Sequence, residues 1–186
     1  FPDITLELDL SARRVDLLRL AQSGKRMLVF VSHPWGGGIR RYMHDLAALA
    51  AARCEVLYLE PAVGNTVKLS WPRAEESFAL YFTLPGELPL LAETLRTIGV
   101  DRLHFQHVHL QPRAILELPA VAGIPYDCTL HDYYAICPQY HLVTEDGRYC
   151  GEPGPAGCAA CLARRPGQWG LDIADWRAAF GRLLRA

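Results

Sequence analysis

The chain has 186 residues, 51% hydrophobic and 21% charged, which supplies one core of ordinary domain size and excludes a disordered polypeptide. A net charge of −1 and a pI near 6.7 remove the global attraction on which nucleic-acid binding depends. No run approaches the roughly 20 apolar residues of a membrane span and no signal-peptide layout opens the sequence, so a cytoplasmic location is expected.

Residues 1–25 are an N-terminal lead-in of unassigned role, with an alternating "ITLELDL" and then "SARRVDLLRLA", in which Ser11 suits an N-cap. From Arg26 the pattern sharpens. "MLVFVS" is a continuous apolar run of the kind a strand buried on both faces shows, and the stretch His33 to Gly38 follows it. After the glycines, Ile39, Tyr42, Met43, Leu46, Leu49 and Ala50 fall on one helical stripe, leaving Arg40, Arg41, His44 and Asp45 off it. "EVLYLEP", "TVKLSW" and "SFALYFTL" are expected strands, the last two joined by a turn around Pro72 to Glu75.

"ELPLLAETLRTIG" predicts a helix ending at Gly99, followed by the strand "RLHFQHV". "PRAILELPAVAG" predicts a helix interrupted at Pro119, and "PYDCTLHD" a strand whose end delivers His131 and Asp132. "LDIADWRAAFGRLLRA" closes the sequence as a helix with Asp172 or Asp175 near its start. Alternating strands and helices favour a Rossmann-like three-layer sandwich with a mostly parallel sheet over residues 26–186. The Gly-, Pro- and Cys-rich stretch 137–170 breaks the rhythm as an inserted loop or small lobe. Strand order in the sheet is not readable from the sequence.

Ligands of such sheets sit beyond the carboxyl ends of the strands, where a helix N-terminus presents free N–H groups. Gly36, Gly37 and Gly38 stand at such a position, either as a tight turn or as a ligand loop. Their spacing is not G-x-G-x-x-G and no lysine follows, so neither a dinucleotide fingerprint nor a Walker A loop is present, which disfavours an oxidoreductase. His33 opens this loop, and His107 lines a strand end. His107 and His109 share a face if their strand persists, whereas His104 and His107 do not. His131 at its strand end is either a cleft residue or a core histidine, with Asp132 as its orienting partner or as a cap. Tyr133, Tyr134 and Tyr140 form either a wall for a ligand or core packing. No Ser-His-Asp or Cys-His nucleophile arrangement is present.

Six cysteines divide into two groups. Cys54 and Cys128 lie within strands as small inert residues. Cys137, Cys150, Cys158 and Cys161 are spaced C-x12-C-x7-C-x2-C, which either closes a structural zinc site, with His141 as a reserve ligand, or leaves free thiols. Four thiolates leave no open position, so a catalytic zinc is not expected.

"GGGIRRYMHDLA", then "LHFQHVHL" and "GIPYDCTLHDYYAICP", resemble in order the first loop and helix and the later His-Asp strand end of the N-terminal domain of GT-B glycosyltransferases, in the retaining family 4 type. The resemblance spans roughly Arg26 to Ala186. It implies a cleft between two Rossmann-like domains, this one holding the acceptor and a C-terminal one, absent from these residues, binding the nucleotide-sugar donor. It further implies that His131 faces the cleft against the transferred sugar or its acceptor, and that Gly36 to Gly38, His33, His107, Asp132 and Tyr133 contribute to binding. Transfer of a sugar to a glycan or glycolipid, with retention, would need no protein carboxylate as base. The leaving diphosphate takes the proton. Polysaccharide biosynthesis at the cell envelope, with peripheral association at the inner membrane face, fits such an enzyme. The family's E-x7-E donor motif has no counterpart here, so an inactive piece of a longer polypeptide is expected, consistent with a start at Phe1 and an end inside a helix. The rival expectation is a non-catalytic Rossmann-like binding or assembly module with a zinc-stapled docking lobe.

Overall fold

The computed structural model describes residues 23–72 and 78–185. The expected N-terminal elements, Ser11 included, lie outside these residues, as does most of the turn expected at Pro72 to Glu75. The elements run β1 (Arg26–Val31), α1 (Gly38–Ala50), β2 (Cys54–Pro61), β3 (Thr66–Trp71), β4 (Phe78–Thr83), α2 (Leu88–Thr97), β5 (Val100–Phe105), a 3-10 turn (Arg113–Glu117), α3 (Leu118–Ala122), β6 (Tyr126–Cys128), α4 (Pro155–Arg164) and α5 (Ile173–Leu183).

The six strands form one sheet in the order β4-β3-β2-β1-β5-β6. β1 pairs in parallel with both β2 and β5, and β5 with β6. β3 and β4 extend the β2 edge as an antiparallel hairpin. The fold is therefore α/β with a mostly parallel sheet, consistent with a Rossmann-like sandwich. The apolar runs of β1 and β2 have their physical reason here, since both lie between neighbours and are covered on both faces. Alternate residues separate the two layers. Val29, Val31, Leu57, Leu59, Leu103 and Phe105 enter the larger core beneath α2, α3 and α5. Phe30, Val56 and Tyr58 point to the opposite face, under α1.

The α1 cover is thinner than its stripe predicts. Met43 is the helix's one buried residue, Ile39, Leu46 and Ala47 are half-covered, and Leu49 is 85% exposed. The sheet residues it crosses are Leu28, Phe30, Val56 and Tyr58, and Leu49 near its end covers none of them. α2 ends as expected, with Gly99 at φ 78 just beyond its cap, a conformation that favours glycine. Pro119 does not cut a helix. It occupies the first turn of α3 after the 3-10 turn, where its missing N–H costs nothing. Asp172 is the N-cap of α5, its side chain accepting from the Asp175 N–H at 2.8 Å.

The stretch 137–170 adds no strand to the sheet. It contributes one antiparallel bridge, Val143 to Tyr149, and α4, a helix with no buried residue. The glycines and prolines around α4 hid it from the sequence, although its "AACLAR" core has high helix propensity. Among the described residues no helix is long and apolar enough to cross a membrane.

Candidate functional site

From β1 the chain passes through α1 to β2 on one side, and after the hairpin and α2 it returns to β5 on the other side of β1. The order therefore reverses between β1 and β5, where open α/β sheets form a crevice at the carboxyl ends of the strands. Four histidines and two amides collect there: His33 after β1, Gln106, His107, His109 and Gln111 after β5, and His131 after β6.

β5 ends at Phe105, earlier than expected, and the N–H groups of Gln106 and His107 both reach the Val31 carbonyl at 2.9 and 3.3 Å. His107 and His109 meet nonetheless. The His109 N–H donates to His107 Nδ1 at 3.0 Å, and His107 Nε2 lies 3.2 Å from Asp132 Oδ2. With Nδ1 accepting, the proton of His107 sits on Nε2 and is donated to Asp132. Both ring nitrogens are thus engaged, which makes His107 a positioning residue. Asp132 also accepts from the Tyr134 N–H at 2.8 Å, so it orients His107 and the following turn, not His131.

His131 Nε2 lies 2.9 Å from Gln106 Oε1. An amide oxygen only accepts, so His131 donates from Nε2 and keeps the Nδ1 lone pair for another partner. Its ring is half-buried and makes an edge contact, 5.3 Å between centroids, with Tyr42 of α1. His33 accepts the Trp35 N–H at Nδ1, 3.2 Å, and its ring is 5.2 Å from that of His107. Trp35 is 53% exposed and packs 4.8 Å from His109. Tyr134 is buried and stacked on His107, with its hydroxyl 3.4 Å from His109 Nδ1, so it belongs to the floor of the crevice. Tyr140 packs against both His109 and Tyr134. Tyr133, expected among the binding residues, is exposed, and its N–H donates to the Tyr140 carbonyl at 3.2 Å.

Burial lowers the pKa of all four histidines, and repulsion from neighbouring imidazoles adds to it for His33, His109 and His131, whereas Asp132 pulls each of the four upward. For His33 the result is about 4. Neutral imidazoles donate at one nitrogen and accept at the other, so the crevice suits hydroxyls better than it suits anions. Three buried polar atoms here have no protein partner: Ser32 Oγ, Gln106 Nε2 and Gln111 Oε1. Buried polar groups are ordinarily satisfied, which makes this crevice a place for water or a polar ligand. A small cavity of about 40 Å3 continues inward from Gln106, His107, His131 and Asp132 toward Phe180.

The glycine loop borders the crevice through Trp35 and Tyr42. Only Gly37, at φ 100, has a backbone conformation that L side chains rarely adopt. A Cβ at Gly36, Gly37 or Gly38 would meet nothing within 4 Å, so open space, not crowding, surrounds all three. Gly37 offers α1 no side-chain cap, leaving its first-turn N–H groups to an outside acceptor. Arg40 braces the loop by contacts from its Nη1 to the Pro34 carbonyl at 3.3 Å and to Glu60 Oε1 at 3.0 Å.

Several site residues carry no sequence signal. Gln111 donates to the carbonyls of both Ser32 and Leu59, at 2.8 and 3.0 Å, tying the ends of β1 and β2 together. Gln168 clamps the loop 108–111: it accepts from the Leu110 N–H and donates to the carbonyls of Val108 and Gln111. Leu110 sits at φ 64, a strained conformation for a branched side chain that the clamp holds in place.

Away from the crevice, Cys137, Cys150, Cys158 and Cys161 are half-buried and line a single cavity, whereas His141 is exposed and does not. Cys54 and Cys128 occupy strand ends, and burial next to Asp127 pushes the Cys128 thiol up to about 11, as befits an unreactive residue. Among the described residues, no three His, Cys, Asp or Glu side chains stand ready-made as a metal cage. Compared with protein-family models, curated proteins and solved structures, the chain matches none.

Proposed function

We propose that this chain is the acceptor-side domain of a nucleotide-sugar-dependent glycosyltransferase, transferring a sugar with retention to a glycan or glycolipid. The observation that carries the proposal is the convergence of neutral imidazoles, amides and an exposed indole on one crevice at the β1/β5 reversal. Sugar hydroxyls need donors and acceptors in alternation, and aromatic faces cover the apolar face of a pyranose ring. His131 Nδ1 is the acceptor we assign to a sugar hydroxyl, with His107 and Asp132 fixing the floor beside it. The uncapped start of α1 supplies N–H donors toward the departing diphosphate. The donor itself belongs to a second domain, and the enzyme works in the cytoplasm, at the inner face of the membrane when its acceptor is a lipid.

A second proposal, a non-catalytic binding or assembly module, draws on exposed Tyr133, Ile136 and Tyr149 around the cysteine segment. Incubating the full-length protein with a panel of nucleotide sugars and membrane glycolipid decides between them. Labelled product whose anomeric configuration matches the donor supports the enzyme. Absence of transfer and of nucleotide-sugar hydrolysis across the panel refutes it.

A further inference from the structure

The segment 137–164 has little core of its own, Leu142 being its one deeply buried large apolar residue. Its helix buries no residue and packs against α5, and its hairpin is closed by one bridge. Small units without a core are stabilised by cross-links or metals. Four cysteines from three separate segments line one cavity of about 40 Å3 here, with Leu142, Leu162, Ile173 and Gln139 also in its wall. The Cys137 N–H bonds the Tyr133 carbonyl at 2.9 Å, ending one turn, and the Cys150 N–H bonds the Leu142 carbonyl at 2.8 Å, closing the hairpin. Cys158 and Cys161 lie three residues apart on α4, on one helix face. The approach between α4 and the preceding segment is close, since a Cβ on Gly157 would come within 2.5 Å of Pro153 Cβ.

We propose that Cys137, Cys150, Cys158 and Cys161 bind one structural Zn(II) as a tetrathiolate. Four soft sulfur donors and no carboxylate in the cavity wall match the closed tetrahedral chemistry of zinc, and leave no position for substrate or water. As placed, the sulfurs do not form a finished cage. The Cys158 thiol donates to the Pro153 carbonyl at 3.2 Å, and Cys161 Sγ accepts from Arg165 Nη2 at 3.3 Å. A tetrahedron with Zn–S bonds of about 2.3 Å requires sulfurs about 3.8 Å apart, so binding turns the Cys158 and Cys161 side chains away from these partners. Binding releases four thiol protons and leaves a site of charge −2, beside which Arg165 is an outer N–H donor and counter-charge. The proposal does not depend on the glycosyltransferase assignment.

The test is metal analysis of the full chain purified under reductant without chelator. The expected result is about one zinc per chain, and on exchange a Co(II) derivative with the charge-transfer and d–d bands of a tetrahedral tetrathiolate. Chelation should then expose four additional alkylatable thiols in the unaltered protein, a readout independent of whether any variant folds. Cys150→Ser and Cys158→Ser should lose the metal, and Cys54→Ser should keep it. A folded, metal-free chain that takes up no Co(II), disulfides among the four cysteines, or zinc that survives both losses would overturn the proposal.

Discussion

Replacing His33 by glutamine probes the electrostatics that make the crevice neutral. The imidazole is buried at the end of β1, with His107 and His109 rings 5.2 and 6.4 Å away and Asp132 the opposing charge. Burial, then repulsion from those two histidines, lowers its pKa from 6.5 to about 4. Between these values the unfolded chain binds the proton and the folded one does not, so the His33 contribution is fully present above the upper value and is lost as pH falls toward the lower. At full strength such a drop is worth about 3 kcal/mol, and solvent reaching the ring from the open loop screens this to about 1–2 kcal/mol. Urea unfolding followed by tryptophan fluorescence, from about pH 7.5 to about pH 4.5, should show the stability gap between wild type and His33→Gln shrinking by that amount on acidification. Two curves that stay parallel throughout would refute the reasoning.

Other perturbations separate conformation from contact. Gly37→Ala forces a side chain into a backbone region reserved for glycine and should cost about 1–3 kcal/mol, whereas Gly36→Ala and Gly38→Ala, in open space, should stay within about 0.5 kcal/mol in thermal unfolding. Equal losses at all three positions would mean that the loop is crowded. Gln168→Ala removes the clamp on the loop 108–111 and should cost about 1–3 kcal/mol, with faster amide exchange at Leu110. Unchanged exchange there would show that Gln168 does not hold the loop.

β1 and β2 were legible because burial on both faces leaves continuous apolar runs, and Gly99, Asp172 and the glycine loop stood where caps and turns require them. The hairpin at the β2 edge could be expected from its turn, but its place in the sheet could not, since nothing in "TVKLSW" says which strand it will join. α4 was hidden because its flanking prolines and glycines resemble those of a loop. Within the crevice, the histidines drew notice as residues that carry chemistry, and the structure brings His33, His107 and His131 to one end of the sheet. Asp132, open in the sequence between orienting partner and cap, accepts from the Tyr134 N–H and contacts His107. The amides were invisible. Gln111 acts on carbonyls 52 and 79 positions earlier in the chain, and Gln168 on carbonyls 57 and 60 positions earlier, distances at which no local pattern survives.

The most direct test of the account is sugar transfer by the full-length protein carrying His131→Ala, measured as kcat/KM against wild type, with exposed His44→Ala on α1 as the control. A hydroxyl acceptor at His131 Nδ1 predicts a loss of about 100-fold or more with the fold intact by circular dichroism, and no change in the control. Transfer at the wild-type rate in His131→Ala would contradict the account.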